Sequence, residues 1–281
     1  MFKDFVSLYK PYKKLFFLDI FSALMMTGID MLFPLSVSYL VDNVIPARNM
    51  RILCILCIAV LLGYIVKYFF EKVVIYYGHV LGVSLENSLR KRVFEQYEKF
   101  SFSYFDENRT GNIISRLTTD AFDISEFAHH GPEDFFISVF ILIGSFVILM
   151  KTDAVLTLVI FAIIPVMIFF ALTSNSKWEG AMMDVRKANA ELTSTINDSF
   201  SGVRVVKAFT NEKLQYARFS YDCDNYSKFK RLSYKFMAEF TCNVNFFIGF
   251  LKLVTIFLGG YFVYKERITI GALMQFMLYI D

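Results

Sequence analysis

Two groups of side chains have residue types that bind metals or carry out redox chemistry. Cys54 and Cys57 form a C-x-x-C pair, a spacing found in redox motifs and zinc sites. The pair lies in an apolar run with no nearby base and no second ligand pair, so we interpret both cysteines as small packing residues. The three histidines, His79, His129 and His130, lack partners at ligand spacing, and the sequence therefore predicts no metal site.

Nucleotide hydrolysis would require the loop Gly-x-x-x-x-Gly-Lys-Ser/Thr, whose backbone amides hold phosphates. The nearest similar stretch joins Gly202 to Lys207, and it lacks both the second glycine and the hydroxyl residue. The sequence therefore predicts no catalytic residue and no ATP hydrolysis by this chain itself.

Ionisable residues inside apolar segments are energetically costly and by default indicate function. Glu71 follows Lys67 by four residues, and an intrahelical ion pair is the simplest account of the two. Lys252 has no acidic residue within a turn; it faces a wet cavity, pairs across helices with Asp30 as a candidate partner, or lies at the periphery. The candidates for a substrate pathway are Asp30, Asn243, Asn245, Lys252 and Gln275.

The elements that hold these residues follow from an apolar composition. Of 281 residues, 56% are hydrophobic and only 20% are charged, whereas soluble domains have about 45–50% and about 25%. A helix needs roughly 20 mostly apolar residues to cross a hydrocarbon core of ~30 Å. Such blocks lie at 15–41, 52–77, 135–150, 154–172 and 236–264, followed by a shorter apolar piece at 271–281. The predicted fold is an all-α polytopic membrane protein.

The final apolar piece is too short to cross a membrane. At 1.5 Å per residue it covers only about 16 Å, roughly half a bilayer. A chain that stopped there would leave backbone carbonyls unsatisfied in lipid. We therefore expect residue 281 to be a domain boundary inside a truncated sixth helix, with the native protein continuing beyond it.

The distribution of Lys and Arg near the ends of the apolar blocks predicts the orientation of the chain. With a cytoplasmic N-terminus, fourteen basic residues flank the inner ends and five flank the outer ends. The outer connections, 42–51, 151–153 and 265–270, are then short, whereas the inner ones, 78–134 and 173–235, each exceed fifty residues. We expect a multi-pass protein of the plasma membrane.

The two long inner segments are helical by their periodicity. Leu192, Ile196, Phe200 and Val203 form one apolar stripe, as on a helix. The second helix is predicted to run from about 52 to about 101, roughly 75 Å, so that some 40 Å projects beyond the membrane. Each arm then turns back on itself at a tip.

Breaker residues mark both tips. At the first, Asp106, Asn108, Thr110 and Gly111 are predicted to form a turn before a short amphipathic helix. At the second, the sequence predicts Thr210 as an N-cap, with the Glu212 carboxylate in the first helical turn. Between arm and membrane, Gly78 and Gly82 form a G-x-x-x-G, which permits close approach of helices.

The sequence of the first tip resembles a known family. The run YFDENRTGNIISRLTTDAFDISEF at 104–127 looks like the first intracellular loop of ABC exporter transmembrane domains. That loop carries an aromatic pair, then Thr-Gly, Ser-Arg and Asp. The matching residues here are Tyr104, Phe105, Thr110, Gly111, Ser115, Arg116 and Asp120.

Two further runs extend this resemblance over the whole chain. The run at 201–219 is similar to the second intracellular loop of the family, and ITIGALMQFMLYI at 268–280 is similar to the entry into its sixth helix. The residues that match the second loop are Gly202, Val206, Lys207, Phe209 and Glu212. The three runs, in this order on a six-span plan, indicate an ABC exporter transmembrane domain, and a bacterial one.

The resemblance implies partners and a mechanism. A second transmembrane domain, identical or different, would complete the pathway in the lipid bilayer, and nucleotide-binding domains, with ATP and Mg, would dock on the two tips. No cofactor bound by this chain and no nucleic acid are expected. The coupling residues implied are Asn108, Arg109, Thr110, Gly111 and Arg116 at the first tip, and Phe209, Thr210, Glu212, Leu214 and Tyr216 at the second.

The expected function is ATP-driven export of a drug, lipid or peptide through alternating access. Two alternatives remain open: a regulator or receptor scaffold of the same family that does not pump, and a stand-alone helical membrane channel or scaffold.

Overall fold

The structure, a computed structural model, describes residues 7–108 and 110–280. Within these residues every regular element is helical, which confirms the predicted all-α polytopic fold. The helices are α1 (Lys13–Tyr39), α2 (Met50–Tyr97), α3 (Phe102–Glu107), α4 (Thr110–Ser115), α5 (Ala121–Thr152), α6 (Ala154–Ser201), α7 (Val203–Ala208), α8 (Glu212–Tyr264) and α9 (Ile270–Ile280). A 3₁₀ turn at Lys10–Tyr12 precedes α1, and π-helical turns at Leu40–Val44 and Arg116–Asp120 follow α1 and α4.

Five of the described helical segments are long and apolar enough to cross a membrane. They are Lys10–Val44, Met50–Tyr97, Ile113–Thr152, Ala154–Ser201 and Glu212–Tyr264, and α9 is a shorter apolar helix. Their large apolar side chains are widely exposed, as Ile55, Leu61 and Phe69 of α2 illustrate. Such a surface is favourable in hydrocarbon and unfavourable in water, so the chain is a multi-pass membrane domain.

Three helices extend well beyond the thickness of a bilayer. α2 and α6 each have 48 residues and α8 has 53, which corresponds to about 70–80 Å at 1.5 Å per residue. The hydrocarbon core needs only ~30 Å. The helix predicted over about 52–101 is observed at Met50–Tyr97, so the second helix continues into a long arm.

The chain divides into two units, the first of which comprises the described residues up to Ala154 and Phe262–Tyr279. In this unit α1, α2 and α5 pack against one another. A small core of Leu8, Leu81, Leu85 and Ala128 lies where the segment before α1 meets α2 and α5. The Tyr9 hydroxyl donates a 2.6 Å hydrogen bond to the carbonyl of Ala128. The N-terminal segment is thereby fixed to α5.

Polar contacts attach α9 to α1 within the same unit. Asp42 accepts hydrogen bonds from the Gly271 amide at 2.8 Å and from the Thr269 hydroxyl at 2.6 Å. Near the other end of α9, the Tyr279 hydroxyl donates to the carbonyl of Met31 at 2.6 Å. Because the first amides of a helix have no intrahelical acceptor, the contact with Asp42 determines where α9 begins.

The second unit, Val155–Tyr261 with Ile280, is an antiparallel hairpin of α6 and α8 joined through α7. Its contacts follow one antiparallel register, because residue numbers of the contacting side chains rise along α6 and fall along α8. The paired side chains are Phe170 with Phe247, Ser174 with Asn243, Trp178 with Phe240, Thr195 with Asp222 and Ser199 with Gln215. Aromatic rings and the hydrogen bond between Ser174 and Asn243 hold the apolar end of the hairpin, and hydrogen bonds hold the polar end.

Candidate functional site

The tip of the first arm is organised by an aromatic cluster. Tyr104 of α3 packs on Phe100 with 4.4 Å between ring centroids and on Tyr97 with 6.1 Å. Arg116 lies at the same cleft as Tyr97, the last residue of α2. Together with Arg92 and Val93, these groups line a cleft of about 750 Å³. Two guanidinium groups beside aromatic rings give this cleft a positively charged rim.

The predicted residues of the first tip lie at the junction of α3 and α4. Asn108 ends α3, since its backbone amide and its side-chain amide both donate to the carbonyl of Tyr104, at 3.1 and 2.8 Å. Thr110 and Gly111 begin α4, and Arg116 opens the π-helical turn. Arg109 lies outside the described residues. The predicted turn included too many residues. Asp106 belongs to α3, which the two hydrogen bonds from Asn108 close.

At the second tip, the turn between α7 and α8 is a Schellman motif. The amide of Asn211 donates to the carbonyl of Val206 at 2.9 Å, and that of Thr210 to the carbonyl of Lys207 at 3.3 Å. Thr210 has φ 53°, the left-handed conformation that this motif requires at its C′ position. The prediction of Thr210 as an N-cap was wrong: Thr210 completes α7, and α8 begins two residues later at Glu212.

The second tip combines an ion pair with exposed apolar side chains. Lys207 Nζ lies 2.9 Å from Glu212 Oε1, and this hydrogen bond holds the pKa of Glu212 below its usual value. Phe209 and Tyr216 are each 72% exposed, and Leu214 is 50% exposed. A hydrogen bond from Ser199 to Gln215 at 3.2 Å fixes the start of α8 against α6. The tip is therefore a fixed turn with an apolar surface.

The charged candidates of the pathway are paired differently from the prediction. Lys67 Nζ lies 2.7 Å from Asp30 Oδ1, an interhelical pair between α2 and α1. The predicted intrahelical partner Glu71 is replaced by Asp30, which had been a candidate partner for Lys252. Spacing along one helix identified the wrong acid because the facing helix brings a carboxylate closer to the lysine amine.

The other pathway candidates occupy distinct positions. Asn243 donates from its amide to the Ser174 hydroxyl at 2.8 Å, so it joins α8 to α6. Asn245 and Lys252 are seven residues apart, two helical turns on one face of α8, and Asn245 is exposed while Lys252 is partly buried. Gln275 of α9 is buried, and its Nε2 has no hydrogen-bond partner among the described residues.

The structure brings the three histidines together, which their spacing in the sequence did not predict. Their spacing in sequence indicated no metal site, yet the ring centroids of His129 lie 5.3 Å from those of His79 and 4.3 Å from those of His130. Asp19 and Glu133 adjoin His129 as well. Ligand spacing along the chain missed this cluster because its members come from three different helices.

Comparison with known proteins defines the class to which these elements belong. A family model described as the ABC transporter transmembrane region matches residues 16–281. The chain belongs to this family, as the first and second tips and the start of α9 had indicated.

Several bacterial proteins are similar to the chain along nearly its whole length. The "Uncharacterized ABC transporter ATP-binding protein YwjA" of Bacillus subtilis (strain 168) is 34% identical over 278 residues, which are 99% of this chain and 48% of that protein. YknV of the same organism, similarly described, is 27% identical over 98% of this chain and 46% of its own length. An "ATP-dependent lipid A-core flippase" of Syntrophus aciditrophicus (strain SB) is 24% identical over 99% of this chain and 46% of its own length. The chain spans about half the length of these relatives.

Proposed function

We propose that this domain forms the substrate pathway of an ATP-driven exporter and couples ATP hydrolysis on nucleotide-binding domains to export of a drug, lipid or peptide. The observation that carries the proposal is the second tip, where Phe209, Leu214 and Tyr216 are exposed on a fixed helix–turn–helix. An apolar surface at the end of a charged arm has no lipid to cover it. A docked protein partner would cover it.

The names of the relatives support a nucleotide-binding partner. Proteins described as ATP-binding are about twice as long as this chain and align with it over 48% or 46% of their length. In our proposal, nucleotide-binding domains dock on both tips, and they supply the ATP and Mg sites. A second transmembrane domain completes the pathway. The protein is then a dimeric transporter of a bacterial plasma membrane, with a cytoplasmic N-terminus.

The hairpin of the second unit has the stiffness that such coupling needs. Ring contacts between Trp178 and Phe240 and a hydrogen bond of 2.6 Å between Thr195 and Asp222 keep α6 and α8 in register. Packed helices move as rigid bodies more readily than they bend. A displacement of the tip would therefore be carried to the apolar end of the hairpin as a rotation.

The pathway itself is proposed to run past the polar groups within the apolar segments. Asn245 and Lys252 lie on one face of α8, and the ion pair of Asp30 with Lys67 joins α1 to α2. Polar side chains at membrane depth are retained mainly where they face water or one another. Asn243 has a smaller role in this proposal, because its amide is engaged by Ser174.

The test uses the complete transporter, with its nucleotide-binding domains, reconstituted in vesicles. A Phe209→Ala/Glu212→Ala variant removes an exposed ring and the carboxylate paired with Lys207. We expect basal ATP hydrolysis to continue and its stimulation by cargo to disappear. The matched control, Tyr221→Ala/Asp224→Ala, changes an exposed ring and an exposed acid farther along α8 and should retain stimulation. Normal stimulation in the Phe209/Glu212 variant would refute the assignment of this tip.

A further inference from the structure

All three histidines of the chain meet at one place in the first unit, together with two acids. Asp19 comes from α1, His79 from α2, and His129, His130 and Glu133 from α5. Two groups of three share His129: Asp19 with His129 and Glu133, and the three histidines. Within each group the potential ligand atoms lie within 4.8 Å of one another.

The centre of this cluster is buried and incompletely hydrogen-bonded. Asp19 is 1% exposed, His129 is 3% exposed and Glu133 is 8% exposed. His129 Nδ1 lies 3.8 Å from an oxygen of each carboxylate, too far for a hydrogen bond. Asp19 Oδ1 and His129 Nδ1 have no hydrogen-bond partner among the described residues. Buried polar groups normally have one, so these two atoms are available to a ligand.

The distances suit a metal ion better than direct contacts among the side chains. Nitrogen and oxygen ligands bind Zn²⁺ at about 2.0–2.2 Å, and in tetrahedral geometry such atoms lie roughly 3.3–3.6 Å apart. The two separations of 3.8 Å around His129 Nδ1 need to contract by a few tenths of an ångström, and all ligand atoms of the group lie within 4.8 Å of one another. Imidazole together with carboxylate suits zinc and similar divalent transition metals, whereas magnesium prefers oxygen ligands and water.

A supporting hydrogen bond is already present at the rim of the cluster. His79 Nδ1 lies 2.7 Å from the carbonyl of Ile75. When Nδ1–H donates to this carbonyl, the tautomer is fixed and the Nε2 lone pair is free to coordinate a metal. Metal-binding histidines commonly have such a partner for the second ring nitrogen.

A glycine provides the space for the His129 ring. A Cβ added at Gly78 would overlap His129 Cε1, and it would lie 2.9 Å from His129 Nε2 and 3.0 Å from Asp19 Oδ1. A Cβ at Gly82, one turn away, would meet His129 Cβ at an ordinary 3.7 Å. The close approach permitted by the G-x-x-x-G therefore places an imidazole, and not only a neighbouring backbone, against α2.

We propose that Asp19, His129 and Glu133 bind a divalent transition-metal ion of the zinc type, with His129 coordinating through Nδ1. The three histidines form a second, separate group of candidate ligands beside it. A bound ion would join α1 to α5 directly. It would therefore stabilise the packing of these two helices beside the ends of their apolar blocks. This site does not depend on the proposed transport function.

The first experiment measures Zn²⁺ binding to the complete, purified protein after chelator treatment, by calorimetry and elemental analysis. We expect His129→Asn to remove one bound ion per chain and Asp19→Asn to weaken that binding by more than about tenfold. Mn²⁺ should bind more weakly than Zn²⁺, and Mg²⁺ should not compete. The matched control is Asp123→Asn, which changes an exposed acid on the same helix as His129; this variant should bind zinc normally. Equal zinc content in the wild type and His129→Asn would overturn the proposal.

The two glycines provide a second pair of variants that leaves every ligand in place. Gly78→Ala should weaken zinc binding by about 10–100-fold, the range typical of disturbed supporting contacts, whereas Gly82→Ala should leave it unchanged. If a variant fails to fold, zinc X-ray absorption on the wild-type protein tests whether the site exists. A shell of nitrogen and oxygen with imidazole scattering supports the site. A sulfur shell, or no retained zinc, refutes it.

Discussion

At the residue scale, single side chains terminate helices at the short connections of the first unit. Thr269 caps α9, because its hydroxyl accepts from the amide of Ala272 at 3.1 Å while donating to Asp42 at 2.6 Å. Asp153, which is almost fully buried, accepts from Arg267 Nε at 2.7 Å. Asp42 and Asp153 therefore each hold a connection through a charge-assisted hydrogen bond.

The first prediction concerns Asp42. Asp42→Ala removes the acceptor of the Gly271 amide and of the Thr269 hydroxyl, and leaving such donors unpaired costs about 1–3 kcal/mol. We expect the purified variant domain to unfold at a lower temperature, or at a lower denaturant concentration in detergent, than the wild type. Asp123→Ala, which removes an exposed carboxylate, should change stability by less than about 0.5 kcal/mol. Equal losses in the two variants would show that Asp42 has no special capping role.

The second prediction uses the close approach of α9 to α1. A Cβ at Gly271 would lie 2.5 Å from the carbonyl oxygen of Ser38 and from Asp42 Oδ2. Gly271→Ala should therefore destabilise the domain by about 1–3 kcal/mol through overpacking. At Gly28 of α1 no atom lies within 4 Å of the added Cβ, and Gly28→Ala should stabilise the helix by roughly 0.5–1 kcal/mol. Thermal unfolding of both variants should give shifts of opposite sign; shifts of the same sign would contradict this packing.

At the element scale, three helix ends share the same turn without using glycine. Arg48, Thr210 and Glu266 have φ values of 49°, 53° and 56°. In each case the next amide reaches back to a carbonyl five residues earlier: Asn49 to Val44, Asn211 to Val206 and Arg267 to Phe262. The left-handed conformation is unfavourable for residues with a Cβ, and for a β-branched residue it is a genuine outlier. Thr210 is therefore the strained member.

The third prediction follows from this strain. Thr210→Gly should stabilise the turn by up to about 1 kcal/mol, because relief of the left-handed strain exceeds the added entropy of glycine in the unfolded chain. Hydrogen exchange of the Asn211 amide, which donates to Val206, should slow by up to roughly fivefold. Asn211→Gly gains no such relief and should destabilise the turn. Faster exchange in Thr210→Gly would contradict the assignment of strain.

The sequence predicted the helices better than it predicted which side chains contact one another. Helical periodicity located α2 to within four residues at its far end, because an apolar stripe is a local property of one helix. Thr210 was misassigned since its chemistry suits an N-cap, and only the backbone hydrogen bonds show that it closes the preceding helix. Lys67 and His129 were missed for a different reason: their partners lie on facing helices, and spacing along one chain segment contains no information about them.

At the scale of the whole molecule, one chain contains two units with different internal contacts. The first unit packs α1, α2 and α5 together and receives α9 through Asp42 and Tyr279. The second is a single long hairpin with one register from Phe170–Phe247 to Ser199–Gln215. A hairpin of this kind is stabilised along its length by its own ring contacts and hydrogen bonds.

The last prediction tests the orientation of the whole chain. By the positive-inside rule, fourteen basic residues against five predict that both arms and the N-terminus lie in the cytoplasm. The four native cysteines, Cys54, Cys57, Cys223 and Cys242, can be replaced by serine or alanine so that single reporters remain. With Ala47→Cys, in the connection between α1 and α2, a membrane-impermeant maleimide should label intact cells. With Cys223 retained in the second arm, labelling should require permeabilised membranes.

Cys223 is only partly accessible, so Tyr221→Cys, at an exposed position beside it, serves as a fully accessible reporter for the same arm. Labelling of Tyr221→Cys from outside intact cells would invert the proposed topology, and the tips could not then meet cytoplasmic nucleotide-binding domains.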